Sequence, residues 1–331
     1  MLEQANEKIK DQEERLRDKA NESVLDQLSK KCRRGPFVFY TGFEKEEFYN
    51  LFNLVVPTPG ELPFIPAKNL FCYKTMKIVD QFFCVLIKLR CDYEFEHLGH
   101  MFDIDKIDCG SMFRDWINFL YHEFASYPIW GSREAIFQNM PEKFKAEFPT
   151  TFGIIDCTEI KIQRPSSLRI QSMCWSEYKG CHTFKALVSV EPSGSFNFVS
   201  MLFSGSISDK EITNSCGFLT ELEQLIEAGI LNNGDSIMAD KGFHISKEIE
   251  DVGLELILPP FATSGKQMSK QKTANTKKIA KHRVVVENSI GRAKKYKIIA
   301  KKINLTLFPV LNQIFFVCCI LTNFKKPILG K

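Results

Sequence analysis

A single carboxylate inside an apolar run places the strongest constraint on the fold of this chain. The run is TFGIIDCTEIKIQRPSS, residues 151–167, and it sets Asp156 among the apolar residues Phe152, Ile154, Ile155, Ile160 and Ile162. A continuous apolar run of this length indicates a buried strand. Burying an ionised carboxylate is costly unless it is paired, hydrogen-bonded or bound to a metal. The rest of the chain must therefore supply a partner for Asp156.

The composition favours a globular protein with a full-sized core. The chain has 331 residues, of which 44% are hydrophobic and 25% charged, enough for one large domain and smaller modules. Eleven cysteines without a C-x-x-C pair, and a charged first segment without an apolar signal-peptide region, indicate reduced thiols in an intracellular compartment. The apolar stretch 307–324 contains Pro309, Asn312, Gln313 and Asn323, so we expect a buried terminal helix and no membrane span.

The first 70 residues form two segments of different character. Residues 1–34 are mostly charged, and Leu2, Ile9 and Leu16 are spaced by seven. This spacing predicts a helix with a short coiled-coil seam that would make a homodimer, although a single solvated helix fits equally well. Residues 35–70 predict a short amphipathic helix and then a proline-rich linker at 55–66.

Residues 71–125 predict three helices with a tight turn at Asp103, which is the pattern of a helix-turn-helix. Over 92–123, however, eight acidic residues stand against two basic ones, a net charge of −6. Negative charge opposes binding to phosphate. Both a DNA-reading module and a module for helix packing or partner binding remain open, and the charge favours the second.

From residue 150 to 327 the pattern changes to strands that alternate with helices. The predicted order is three meandering strands, then a helix, a strand, a helix, a strand and a long basic helix: 151–162, 184–192, 196–205, 209–229, 236–240, 245–252, 254–260 and 275–299. This order predicts an α/β fold of the RNase-H-like type, with a mixed sheet and an N-terminal helical module. In that topology the fourth strand lies beside the first.

Two more carboxylates have positions that suit a metal site. Asp240 ends the strand 236–240, and open α/β sheets hold their ligands at the carboxyl ends of strands, where it would face Asp156. Glu287 is the only acid among thirteen Lys and Arg residues between 264 and 302, a net charge of +12 that indicates a polyanionic partner. Hard oxygen ligands beside a basic strip predict phosphodiester chemistry with two Mg²⁺ or Mn²⁺ ions. Taken singly, Asp240 would be a turn former and Glu287 a helix-surface partner of Arg283.

Several stretches resemble a known family. IIDCTEIKIQRPSSL, TFKALVSVEPSG, IMADKGF and VVVENSIGRAKKYKII, spread over roughly 150–325, resemble the DDE superfamily endonucleases of Harbinger-like transposons, whose animal members often carry an N-terminal THAP zinc domain. Residues 75–122 resemble the helix-turn-helix of that family. The resemblance implies a transposase-derived DNA endonuclease, with strand transfer in a full transposase. It also implies that Asp156, Asp240 and Glu287 are the catalytic, metal-binding acids.

The resemblance extends to further residues. Asp209 falls on a position typical of the family, but Ser208 and Glu211 form a capping-box pattern, so a structural role for Asp209 is the preferred interpretation. Lys179 and Lys185 are expected to be solvated. The residues expected to bind nucleic acid are Arg283, Arg292, Lys294, Lys295 and Lys297.

The sequence also leaves alternatives to an active DNA endonuclease. It contains no THAP-like zinc arrangement, so a partner protein would supply sequence-specific binding to transposon ends or target DNA. One alternative is a domesticated, non-catalytic relic that binds DNA or proteins, and another is a nuclease that acts on RNA. The Lys-rich segment KTANTKKIAKHR fits a nuclear import signal, although DNA binding explains the same lysines equally well. We expect the nucleus, with the cytoplasm as a second location.

Overall fold

A computed structural model of the chain describes residues 24–25, 36–56, 76–260, 269–326 and 328. The chain divides into two compact units, Met1–Trp116 and Ile117–Lys331. The predicted coiled-coil seam and nearly all of the predicted proline-rich linker lie outside the described residues. Within the described residues, no helix is both long and apolar enough to cross a membrane.

The first unit is helical. Its helices are α1 (Pro36–Tyr40), α2 (Lys45–Val55), α3 (Ile78–Cys91), α4 (Phe95–Phe102) and α5 (Lys106–Ser126), the last of which runs on past the unit boundary. Aromatic side chains fill the core, where the Phe48 ring centroid lies 5.1 Å from that of Phe37 and 5.4 Å from that of Phe82. The indole Nε1 of Trp116 donates a hydrogen bond to Gln81 Oε1 at 3.0 Å.

The tight turn predicted at Asp103 joins α4 to α5. Asp103 takes a left-handed conformation with φ 54°. Gly99 lets the turn fold back, because a Cβ at this position would lie 2.6 Å from the carbonyl oxygen of Ile104. The three helices predicted over 75–125 are thus confirmed, with the turn between the second and the third.

The second unit is an α/β unit built on a seven-stranded mixed sheet. The strands are β1 (Thr151–Lys161), β2 (Trp175–Ser176), β3 (Cys181–Val190), β4 (Phe196–Val199), β5 (Phe203–Ser204), β6 (Ser236–Met238) and β7 (Glu255–Ile257). They follow the order β2-β3-β1-β6-β7, and both β4 and β5 pair with β3. β1 is antiparallel to β3 and parallel to β6. The predicted RNase-H-like sheet, with its fourth main strand beside the first, is confirmed.

Helices cover the sheet. Along the chain they are α6 (Arg133–Asn139), α7 (Glu142–Glu147), α8 (Leu168–Cys174), α9 (Asp209–Ser215), α10 (Phe218–Glu227), α11 (Ser246–Asp251), α12 (Lys270–Ala293), α13 (Lys297–Ala300), a 3₁₀ helix (Leu305–Val310) and α14 (Leu311–Ile320). On β1, Ile155 and Cys157 pack with residues of α9, α10 and α11 in one core cluster. Because side chains alternate along a strand, Asp156 points to the opposite face. That face packs against α12.

Three predicted elements differ in the structure. The predicted strand 196–205 is two short strands, because the chain leaves the ladder at Leu202, whose N–H bonds to Asn312 Oδ1 at 2.8 Å. The predicted helix 209–229 is two helices separated at Gly217, which has φ 84°. The basic helix predicted at 275–299 begins at Lys270 and ends at Ala293. The short elements α6, α7, α8, α13 and β2 were not predicted.

The apolar C-terminal stretch is a buried helix, as predicted. Most side chains of α14 are buried. The polar residues that interrupt the stretch have structural partners. Asn323 accepts a hydrogen bond from Phe196 N and donates one to Phe196 O, each at 2.8 Å, so its side chain pairs with β4 as a neighbouring strand would.

Candidate active site

The pairing of β1 with β6 places Asp156 and Asp240 side by side. In the parallel pair of β1 and β6, Ile154 lies opposite Met238. Asp156 in the middle of β1 and Asp240 just beyond the end of β6 each follow two residues later, so both side chains project from the same face of the sheet. Asp156 is largely buried, whereas the Asp240 side chain is 52% exposed.

The long helix α12 brings the third acid. Its apolar face, which includes Ile279, Val285 and Val286, is buried. Beside that face runs a stripe with the spacing of one helix face: Arg283, Glu287, Ile290 and Lys294. Glu287 is 57% exposed at its side chain. The helix therefore offers a carboxylate between two cations to the sheet edge that carries Asp156 and Asp240.

All three acids line one cavity of about 600 Å³. Asp209, Arg283 and Lys294 line it as well, together with Lys179 and Lys185. Three of the residues expected to bind nucleic acid do not line this cavity: Arg292, Lys295 and Lys297. The guanidinium of Arg292 donates instead to the carbonyl oxygen of Lys326 at 2.6 Å.

The Arg283 guanidinium lies among the acids. Its Nη1 is 3.0 Å from Asp240 Oδ1, and its Nη2 is 4.0 Å from Glu287 Oε1. The side chain is only 10% exposed, and its buried Nε has no hydrogen-bond partner. A buried guanidinium without a counter-charge would be costly, so the carboxylates of Asp240 and Glu287 stabilise Arg283 in this position. Arg283, which the sequence assigned to nucleic acid, is here an internal counter-ion of the acidic site.

The ionised form of Asp156 is destabilised by its burial. Burial raises its pKa from 3.8 to about 6, while Arg283 and the hydrogen bond from Cys157 N, at 2.9 Å, act in the opposite direction. The charges of Glu287 and Asp240 add to the increase. The partner that the sequence requires for Asp156 is therefore the guanidinium of Arg283. Asp240 and Glu287 share this guanidinium.

The fourth acid, Asp209, has a different neighbour. Its Oδ1 lies 2.7 Å from Lys185 Nζ, which also donates to the carbonyl oxygen of Ile207 at 3.0 Å. The expectation that Lys185 is solvated was wrong, because the two partners hold its ammonium group over the strand. Ser208 Oγ accepts a hydrogen bond from Glu211 N at 3.1 Å, which confirms the predicted N-cap beside Asp209.

Lys294 fixes the helix to the sheet. Its Nζ donates to the carbonyl oxygen of Glu159 on β1 at 3.2 Å, and burial lowers the pKa of this ammonium group, with Lys179 acting in the same direction. The sequence did not single out Thr158, Glu159 or Tyr178, although all three line the cavity. Tyr178 lies in the stretch SEYKG, residues 176–180, and its Gly180 is a turn signal from which the hairpin of β2 and β3 could have been predicted.

Divalent cations match the donor chemistry of the site. Mg²⁺ and Mn²⁺ prefer carboxylate oxygens, and the guanidinium of Arg283 shows that a positive charge is accommodated between Asp240 and Glu287. Within the described part of the chain, however, no three Asp, Glu, His or Cys side chains are close enough together to hold a metal ion. The acids therefore fit a divalent cation in donor type, and in this structure the cation between Asp240 and Glu287 is the guanidinium of Arg283.

Comparison with known proteins identifies a family for this chain. The profile of the family described as DDE superfamily endonuclease matches residues 155–323. A second profile, the helix-turn-helix of DDE superfamily endonuclease, matches residues 74–126. Neither the curated proteins nor the solved structures include a significant match. The first profile covers half of the chain, including all three acids of the cavity, and the chain therefore belongs to the DDE superfamily endonucleases.

Proposed function

We propose that this protein is a transposase-derived endonuclease that hydrolyses DNA phosphodiester bonds with divalent metal ions held by Asp156, Asp240 and Glu287. The observation that carries the proposal is that three acids, one from β1, one from just beyond β6 and one from α12, line a cavity that four Lys and Arg side chains also line. Bound Mg²⁺ or Mn²⁺ would activate the attacking water and stabilise the leaving oxygen.

The basic residues of the cavity have separate roles in this proposal. Arg283 balances the acids while the site is without metal, and it is free to meet a phosphate once Asp240 turns to a metal. Lys294 is held by the backbone of β1 and presents a fixed charge to the phosphate. Asp209 holds Lys185 and is a structural residue.

Nicking of supercoiled plasmid by the purified full chain tests the proposal. The wild type is compared with Asp156→Ala and Glu287→Ala in Mg²⁺ or Mn²⁺ at low and near-physiological salt, and Asp251→Ala, outside the cavity, serves as a control. We expect both cavity variants to lose nicking while plasmid binding in a gel shift persists, and the control to keep both. Parallel assays on RNA and on an RNA–DNA hybrid distinguish the substrate.

The second candidate is a protein that holds DNA without cutting it. The ion pair of Arg283 with Asp240 favours it, since the acids are already compensated without metal. Binding without nicking under every metal condition would support this second function and overturn the first.

We propose a protein-binding role for the helix-turn-helix unit. Asp105, directly before α5, and Asp108, in its first turn, are exposed at the start of the helix that would enter the major groove. These charges would repel DNA phosphates, so a partner with a basic surface fits better and would supply sequence-specific DNA binding. Co-purification of a DNA-binding partner by wild type but not by Asp105→Lys/Asp108→Lys tests this role. Action on DNA would require the nucleus, which imaging of a fluorescent fusion checks.

A further inference from the structure

An exposed aromatic ring lies at the same cavity as the acids. Tyr178 is 85% exposed, more than any other large hydrophobic or aromatic side chain in the described part of the chain. It nevertheless lines the cavity that holds Asp156, Asp240 and Glu287. Its ring is therefore accessible to a ligand that enters this cavity.

The backbone around Tyr178 is well defined. It lies in the turn between β2 and β3, where Trp175 pairs with His182 and Ser176 with Cys181. Ser176 is buried, and its Oγ accepts from Lys179 N at 3.2 Å while its carbonyl oxygen accepts from Gly180 N at 2.8 Å. Gly180 closes the turn with φ 60°, a conformation that favours glycine. The turn therefore projects the ring from a fixed base.

The surroundings of the ring select the chemistry of a ligand. Lys179 Nζ lies 4.3 Å from the centroid of the Tyr178 ring. Lys185, Arg283 and Lys294 line the same cavity, as do the acids, so a purely apolar ligand would desolvate many charges there. A ligand that combines an anionic phosphate with a flat aromatic group matches both the cations and the ring. A nucleotide has both features.

From this arrangement we infer that Tyr178 is a stacking platform for an unpaired nucleobase next to the phosphate that enters the acidic cavity. In an intact duplex the faces of each base are covered by its neighbours, so a ring can stack only on a base that has left the helix. The inference deepens the proposed function and rests on it. It names the substrate as DNA with an unpaired or distorted base at the site of cleavage.

Binding in EDTA, where no cleavage occurs, tests this inference. Two duplexes are compared, one fully paired and one with a single central mismatch that includes 2-aminopurine, whose fluorescence falls on stacking. Stacking of a base on an aromatic ring contributes about 1–3 kcal/mol, so the wild type should bind the mismatched duplex at least about fivefold more tightly and quench the probe. Tyr178→Ala should lose both the preference and the quenching, with unchanged affinity for the paired duplex.

Two variants complete the test. Tyr178→Phe keeps the ring and should behave as the wild type. Tyr127→Ala removes another exposed tyrosine, 51% exposed and outside the cavity, and should also behave as the wild type. The inference is overturned if Tyr178→Ala retains the preference for the mismatch. It is also overturned if Tyr178→Phe loses that preference, since the hydroxyl group and not the ring would then contact the base. Because the assay measures binding alone, its outcome is independent of whether the three acids cut DNA.

Discussion

Replacing Asp156 with asparagine should stabilise the metal-free protein at neutral pH. In the folded state burial raises the pKa of this carboxyl from 3.8 to about 6. Each pKa unit corresponds to about 1.4 kcal/mol, so the ionised carboxylate costs the folded state about 3 kcal/mol at high pH. Asparagine has a similar shape, can still accept the hydrogen bond from Cys157 N, and carries no charge.

The increase in the free energy of unfolding that Asp156→Asn brings should depend on pH. A carboxyl whose pKa is raised by folding binds its proton more tightly in the folded state, so the free energy of unfolding falls as pH rises between about 4 and 6. The cost is complete above the folded pKa and absent below the unfolded one. We therefore expect Asp156→Asn to raise the free energy of unfolding by about 3 kcal/mol at pH 7.5 and by about 1 kcal/mol at pH 4.5.

Urea unfolding in EDTA, followed by hydrogen-exchange mass spectrometry of peptides from β1, measures this difference for the second unit alone. The control is Glu287→Gln, whose side chain is 57% exposed, so its replacement should change stability by no more than about 0.5 kcal/mol at either pH. An equal gain for Asp156→Asn at both pH values, or a loss at pH 7.5, would refute the reasoning, because the effect would then not come from the buried charge.

The remaining predictions concern metal, packing and hydrogen bonding. Mn²⁺ at about 100 times its dissociation constant should raise the melting temperature of the wild type by about 5–10 °C, and calorimetry should show no such rise for Asp156→Ala. Gly205→Ala should lower the free energy of unfolding by about 3 kcal/mol in urea titrations, because its Cβ would lie 2.7 and 2.8 Å from the carbonyl oxygens of Thr183 and Cys174. Gly291→Ala, with open space around it on α12, should cost nothing in the same titrations. Asn323→Ala should cost about 2 kcal/mol in thermal unfolding, since both backbone groups of Phe196 lose a partner, and an unchanged melting temperature would contradict that.

The sequence was sufficient to predict that the fourth main strand lies beside the first and that the three acids share one part of the α/β unit. The apolar run around Asp156 has the pattern of a buried strand, and β6, which ends two residues before Asp240, lies beside it, because the alternation of strands and helices restricts the topology. The helix of Glu287 carries an apolar face that must cover a sheet. The catalytic role of these acids stays a prediction until it is measured.

Long-range polar contacts could not be read from the sequence. Arg283 occurs in a basic run and looks like a residue that contacts phosphate, yet its partner Asp240 comes from a strand 43 positions earlier. Lys185 likewise pairs with Asp209, and Asn312 ends the pairing of the third predicted strand from a distant helix. Such contacts depend on the relative placement of whole elements, which hydrophobic periodicity does not specify.

The wide separation of the three acids along the chain has a consequence for protein synthesis. During synthesis of the second unit, Asp156 leaves the ribosome first, then Asp240 and then Glu287. Asn323, which pairs with β4, follows after all three acids. A nascent or prematurely terminated chain that stops before α12 lacks one acid and the counter-ion of another. If the complete chain cuts DNA, its truncated products would be harmless to the genome of the cell that makes them.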